Sequence, residues 1–274
     1  MSNYLKNSNK GFIFVGCSFT WGYGLGYYFN NDILSKDNYI NSISLVQPKS
    51  YLLYQYSKRF SDLVSNHFKT FKIQPENVSG SDIVSTSFIN KLLKRYDKVY
   101  DFNDVIDLSK LNIEDFSVCI FQTSYVNRNA EFFWDKLIDK DGNPLTSLEE
   151  CNQVMEIEAM CSENHYLNQV KMLTWEVVKE TSMCLEQNGV KVFFIHAENQ
   201  YETLDDSYLK ERTIPIEYSN KQNFSIQDVT FEYPDKLICF DHDYFGKTTP
   251  NDLHPGLELH EIISKSIIKR LENE

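Results

Sequence analysis

Five short apolar runs punctuate the chain: Phe12–Val15, Phe71–Val78, Val118–Gln122, Val190–His196 and Leu237–Phe240. Most are continuous rather than alternating. That pattern belongs to strands covered on both faces, as in a parallel sheet. Between them the apolar spacing lengthens to that of helices. Ser50–Phe68 carries Leu52, Leu53, Tyr56, Phe60, Leu63, Val64 and Phe68, and Ser81–Tyr96 carries Ile83, Val84, Ile89, Leu92 and Leu93. A longer helix is predicted from about Leu167 to Gln187, stopping at Asn188-Gly189. The last helix is predicted from about Pro255 to Leu271, with Leu259, Ile262, Ile263, Ile267 and Leu271 on one stripe. Strands alternating with helices predict right-handed crossovers and a three-layer α/β/α sandwich.

Two stretches break the alternation. Residues 125–165 are polar, rich in Trp, Phe and Glu, and contain the turn Asp139-Lys140-Asp141-Gly142-Asn143-Pro144. Residues 203–235 are also long and polar, with Tyr208, Tyr218, Phe224 and Phe231. Long connections after strand ends build the substrate side of an open α/β sheet, so both are expected there. No linker or repeat divides the chain, and residues 1–274 are expected to form one domain.

Candidate chemistry sits at the two ends. The first apolar run leads into Gly16-Cys17-Ser18-Phe19-Thr20-Trp21-Gly22. Glycine permits a sharp turn there, and Ser18 would project from the strand end. A serine hydroxyl attacks only when a base takes its proton. Asn251-Asp252-Leu253-His254-Pro255-Gly256, just before the last helix, offers that base. Asp252 is close enough in sequence to orient the His254 ring, so Ser18, Asp252 and His254 make a candidate triad. The blander roles are helix caps: Ser18 for the helix after the first strand, and Asn251 or Asp252 for the last helix.

The first segment resembles the opening block of the SGNH, or GDSL-like, hydrolases: a strand, then Gly-Asp-Ser with a Gly-x-Gly-Leu tail. Here the tail is Gly22-Tyr23-Gly24-Leu25, and Cys17 stands where the family usually has Asp. The closing block resembles the family's Asp-x-x-His in an Asp-x-His form. The resemblance implies a flavodoxin-like sandwich of about five parallel strands in the order 2-1-3-4-5. It also implies a serine esterase that needs neither cofactor nor metal and acts on a small acyl ester, with acetyl on carbohydrate as one candidate. An acyltransferase using the same triad is an alternative. So is a catalytically degenerate binding or structural module on the same fold.

The resemblance further implies an oxyanion hole. The Ser18 N–H is one donor. Glu76-Asn77-Val78-Ser79-Gly80-Ser81 resembles the second block and makes the Gly80 N–H another. The family's third block, Gly-x-Asn-Asp, has no match in Gln122-Thr123-Ser124-Tyr125-Val126-Asn127-Arg128. A third donor is expected from Thr123, Ser124, Asn127 or Gln122, in that order, because Thr123 and Ser124 follow the strand directly. Trp21 and Arg128 are candidate substrate contacts. Trp21, Tyr23, Tyr27, Tyr28 and Trp134 read either as an aromatic floor or as core. Asp241-His242-Asp243 reads as a polar strand end, because neighbouring strand residues face opposite ways.

Composition narrows the classes. With 42% hydrophobic residues, 274 residues can bury a sizeable core, and 17 Tyr and 19 Phe suit a core or an acyl or sugar site. A net charge of −12 without a basic run argues against nucleic acid. The six cysteines, at 17, 119, 151, 161, 184 and 239, form no Cys-x-x-Cys pair and lean towards a reducing compartment. A polar start and the lack of a long apolar stretch predict a soluble chain without signal peptide or membrane partner, cytoplasmic or otherwise.

Overall fold

Along strand β1 (Gly11–Val15) successive side chains enter different cores. Phe12 and Phe14 join one cluster of buried residues, while Ile13 and Val15 join the other. The same division runs through β3 (Phe116–Thr123) and β4 (Lys191–His196): Val118, Ile120, Phe193 and Ile195 on one side, Cys119, Phe121, Val192 and Phe194 on the other. Covering both faces of a sheet requires two helical layers, which is the physical reason for the continuous apolar runs. The computed structural model describes residues 9–17, 20, 57–75, 80–99, 108–160, 164–233, 237–238, 254–255 and 257–274.

Among the described residues the sheet has four parallel strands in the order β2-β1-β3-β4, with β2 at Lys72–Ile73. Its register pairs Ile13 with Cys119 and Thr123 with His196. On one face lie α1 (Phe60–Phe68) and the last helix, α7 (Leu257–Glu272), through Phe60, Val64, Leu259, Ile263 and Ile267. On the other face lie α2 (Asp82–Leu92) and α4 (His165–Gln187), through Ile83, Ile89, Val170 and Val178. The chain is thus an α/β/α sandwich. Ser81 caps α2 by accepting the Ile83 N–H, and α4 stops where Gly189 adopts a φ of 82°.

The long polar stretches are structured. Residues 125–165 hold 3-10 turns at Val126–Phe132 and Trp134–Lys136, then α3 (Leu148–Met160). Residues 203–235 hold α5 (Ser207–Arg212), a hairpin of β5 (Ile216–Tyr218) and β6 (Lys221–Asn223), and α6 (Ile226–Glu232). Ser219 and Asn220 turn the hairpin, both with positive φ.

The segment expected as the fifth strand is described only at Leu237–Ile238. Its described part, β7 (Leu237–Ile238), runs antiparallel to β8 (His254–Pro255). The outer edge of β4 is instead covered by short contacts. The Ile214 N–H donates to the Phe194 carbonyl at 2.8 Å and the Gln227 N–H to the Ala197 carbonyl at 3.0 Å. Such coverage blunts the β4 edge as a template for pairing with another chain.

Helix directions locate the functional edge. The Thr70 hydroxyl, just past α1, donates to the Lys10 carbonyl at the start of β1. So α1 ends at the amino edge of the sheet and begins at the carboxyl edge. Helix α7 runs alongside it: Phe60 N–H donates to His260 Nδ1 at 3.2 Å near their starts, and His67 pairs with Glu272 near their ends. The start of α7, directly after His254, therefore opens on the same edge as the ends of β1 and β3.

Candidate active site

The turn after β1 is held from below by Gln122. Gln122 Oε1 accepts the Thr20 N–H at 3.0 Å and its hydroxyl at 2.7 Å, while Nε2 donates to the Thr123 carbonyl at 2.8 Å and meets Cys17 Sγ at 3.1 Å. Cys17 and Thr20, the described residues flanking position 18, are both buried and both touch this one amide. Gly16 is required by the close approach: a Cβ there would collide with Thr20 Oγ1 and lie 2.8 Å from Gln122 Cβ. Gln122, expected as a possible oxyanion donor, is thus engaged in shaping the turn.

Gly80 comes next along the edge, with φ 76°. Arg128 Nη1 lies where a side chain at position 80 would begin, so any Cβ would strike it. The same guanidinium lies over the Tyr125 ring, with its central carbon 5.1 Å from the centroid. Gly80 therefore serves both a left-handed turn and the seating of a guanidinium.

Beneath Gly80 is a buried polar network that the sequence did not announce. Asn129 Oδ1 accepts the Ser81 hydroxyl at 2.7 Å and the Asp82 N–H at 2.9 Å, and its Nδ2 donates to Asp82 Oδ2 at 3.1 Å. Asp82 also accepts the Ser124 N–H at 2.7 Å and the Tyr201 hydroxyl at 2.9 Å. Glu198 Oε1 accepts the Val126 N–H at 2.7 Å. Asp82 and Asn129 so bind the start of α2 to the loop after β3, and Glu198 ties that loop to the end of β4. In sequence Asp82 looks like an ordinary first-turn acid beside the Ser81 cap, and no local signal marks Asn129 or Glu198.

The other expected donors are disposed as follows. The Thr213 hydroxyl donates to the Leu209 carbonyl at 2.9 Å, so it accepts from His196 Nε2 at 3.1 Å. His196 Nδ1 is then bare and accepts the Thr123 hydroxyl at 2.9 Å. Thr123 has one proton, and it points into the core. Ser124 is 1% exposed, with its hydroxyl 3.5 Å from the Tyr125 carbonyl. Asn127 and Arg128 are exposed. Trp134 packs against the core. Ser18, Trp21, Tyr23, Tyr27, Tyr28, Asp252 and Asp241-His242-Asp243 lie outside the described residues, as does the side chain of His254.

Burial sets the electrostatics. It pushes Asp82 up to about 6 against the pull of its donors, and Glu198 up to about 7 with the Asp82 charge adding to the rise and Arg128 opposing it. Burial lowers His196 to about 3, keeping it neutral as the hydrogen-bond chain requires. Both carboxyls hold protons more tightly in the folded chain than at their ordinary 3.8 and 4.5. Their favourable contribution is complete below those ordinary values and is lost as pH rises through about 6 and about 7. Glu198→Gln keeps an acceptor for Val126 and removes the titration. Relative to this variant, the wild type is expected to lose unfolding free energy between about pH 5 and about pH 8. A constant difference across that range would show that Glu198 does not titrate in this way.

Among the described residues no group of three or more His, Cys, Asp or Glu is placed to hold a metal ion. No described helix is long and apolar enough to cross a membrane.

No family model matches the chain. No curated protein matches it either. A solved structure with a similarity to the chain is described by the words "the active site of a carbohydrate esterase displays divergent catalytic and non-catalytic binding functions". The two are 15% identical, with a TM-score of 0.35, and the alignment covers 98% of this chain and 70% of the other.

Proposed function

We propose that the chain is a serine esterase acting on a small acyl ester, with acetyl on carbohydrate as the leading substrate class. The observation that carries this reading is convergence at one edge. Cys17 and Thr20, the Gly80 turn, the loop after β3 and the start of α7 all lie at the carboxyl ends of parallel strands, where open α/β sheets bind ligands. In this reading Ser18 Oγ attacks the acyl carbon while His254 takes its proton, and Asp252 orients the ring. His254 then returns the proton to the leaving alcohol. Water repeats the sequence in reverse to release the acid and free Ser18.

The negative oxygen of each tetrahedral intermediate needs donors aimed at it. The Ser18 and Gly80 N–H groups supply two. Arg128 supplies the third, because its guanidinium already lies against Gly80 and is exposed, whereas Thr123 and Gln122 are engaged and Ser124 is buried. The same engagements favour the second reading, a non-catalytic module, if Arg128 does not serve.

A fluorophosphonate probe should label the wild type at Ser18, and p-nitrophenyl acetate should be turned over. Adding sugar acceptors separates hydrolysis from transfer, since a transferase would give acylated sugar in place of acetate. Absence of both labelling and turnover would leave the binding module.

A further inference from the structure

Helix α4 is longer than the strand it feeds. At about 1.5 Å per residue its 23 residues span about 34 Å. The 6 residues of β4 span only about 20 Å. Val190 N–H donates to the Leu185 carbonyl, so the helix ends at the amino edge of the sheet. Its first turns therefore overshoot the carboxyl edge, where they face the 3-10 turn Asn199–Thr203. Between these two walls lies a cleft of about 520 Å³.

The helix wall is the face Asn164, Leu167, Asn168 and Lys171, one stripe at the helical repeat. A stripe turned towards other protein would be apolar, as Val170 and Trp175 are on the buried side. Among the described residues the Asn164 and Asn168 side chains have no hydrogen-bond partner, and Asn164 does not cap its own helix. On the opposite wall Gln200 Oε1 is buried without a partner. A buried acceptor left unmade costs about 1–3 kcal/mol. Two exposed amides and one buried, unsatisfied acceptor thus border one cavity.

The cleft is also preformed. Lys171 Nζ donates to Thr203 Oγ1 at 2.7 Å, linking the two walls. One turn further along, Trp175 and Lys179 both hold Asp206. The Glu158 carboxylate accepts the Tyr166 and Leu167 N–H groups at 2.9 and 2.8 Å, occupying the helix donors that would otherwise attract an anion. Glu202 on the far wall balances Lys171 in charge. These features disfavour a phosphate or carboxylate ligand. They suit a neutral ligand rich in hydroxyls, because an amide offers one donor group and one acceptor and a hydroxyl matches both.

We propose that the cleft between the start of α4 and the turn Asn199–Thr203 is a subsite for a neutral sugar unit. The volume falls within the range of small-ligand sites. Asn199 follows Glu198, whose carboxylate holds the loop after β3, so the cleft adjoins the proposed acyl site along one edge. The link to substrate rests on the esterase reading; the binding itself does not.

The test is calorimetric titration of the full-length wild type with cellobiose, xylobiose and chitobiose, no ester being present. Saturable binding of at least one is expected. Asn164→Ala and Asn168→Ala should each weaken it about tenfold, the cost of roughly one good hydrogen bond. Both residues are exposed, so neither change threatens the fold. No saturable binding of any of the three sugars overturns the proposal, and so does binding that both variants leave unchanged. Sugar binding without ester turnover keeps the cleft and removes the esterase. Ester turnover without sugar binding does the reverse.

Discussion

Ser18→Ala is expected to remove ester turnover and leave the fold standing. A nucleophile is not one contributor among many: without it the acyl-enzyme cannot form, and the rest of the machinery has nothing to assist. In serine hydrolases, loss of the nucleophile costs on the order of 10⁶-fold in kcat, with residual rate from binding and the oxyanion hole. Among the described residues the turn has other anchors. Cys17 and Thr20 hold it through Gln122, and neither contact passes through the Ser18 hydroxyl. The change in stability should therefore stay within about 0.5 kcal/mol. Steady-state release of p-nitrophenol and the thermal midpoint measure the two effects on the same preparations. Equal turnover by variant and wild type would exclude Ser18 as nucleophile. Loss of turnover together with a collapsed midpoint would give the serine a structural role at the strand end instead.

What the sequence disclosed depended on how local the cause was. The continuous run Phe12–Val15 announced a strand covered on both faces, and Phe12 and Ile13 do enter different cores. Ser81 and Gly189 mark a helix start and a helix stop through bonds to near neighbours. Leu237–Phe240 carries the same apolar signature as the sheet strands, yet its described part pairs with His254–Pro255. Hydrophobicity records that a strand will be buried, not which strand it will meet. The site follows the same rule. Ser18 and His254 stand out because their flanking residues form short motifs. Asp82 does not, because its meaning lies in Tyr201, 119 residues away. On position alone Thr123 ranks first as a donor. Its engagement with His196 follows from the β3–β4 register, which no local pattern encodes.

Arg128→Met is expected to lower kcat by roughly 10²–10³-fold with little change in KM, the loss seen when one oxyanion donor is removed. Methionine keeps most of the length and an apolar stem, so the substitution deletes the donors and the charge, together with the guanidinium contact on the Tyr125 ring. The split between kcat and KM follows from timing. A neutral acetyl ester presents a weak carbonyl dipole on binding, and full negative charge develops only in the transition state, where the guanidinium acts most strongly. A merely structural Arg128 would instead lower the thermal midpoint without that split. An Arg128 that binds substrate equally in both states would raise KM and spare kcat. Arg128→Lys distinguishes further: it restores charge but not the planar fork, so partial recovery of kcat marks an electrostatic donor. Ser124→Ala and Asn127→Ala are the companion measurements. Both should leave kcat within a few fold if Arg128 is the third donor, since Ser124 is buried and Arg128 lies against Gly80. A large kcat loss in either, with Arg128→Met near wild type, would move the donor to that residue and return Arg128 to the rim of the site.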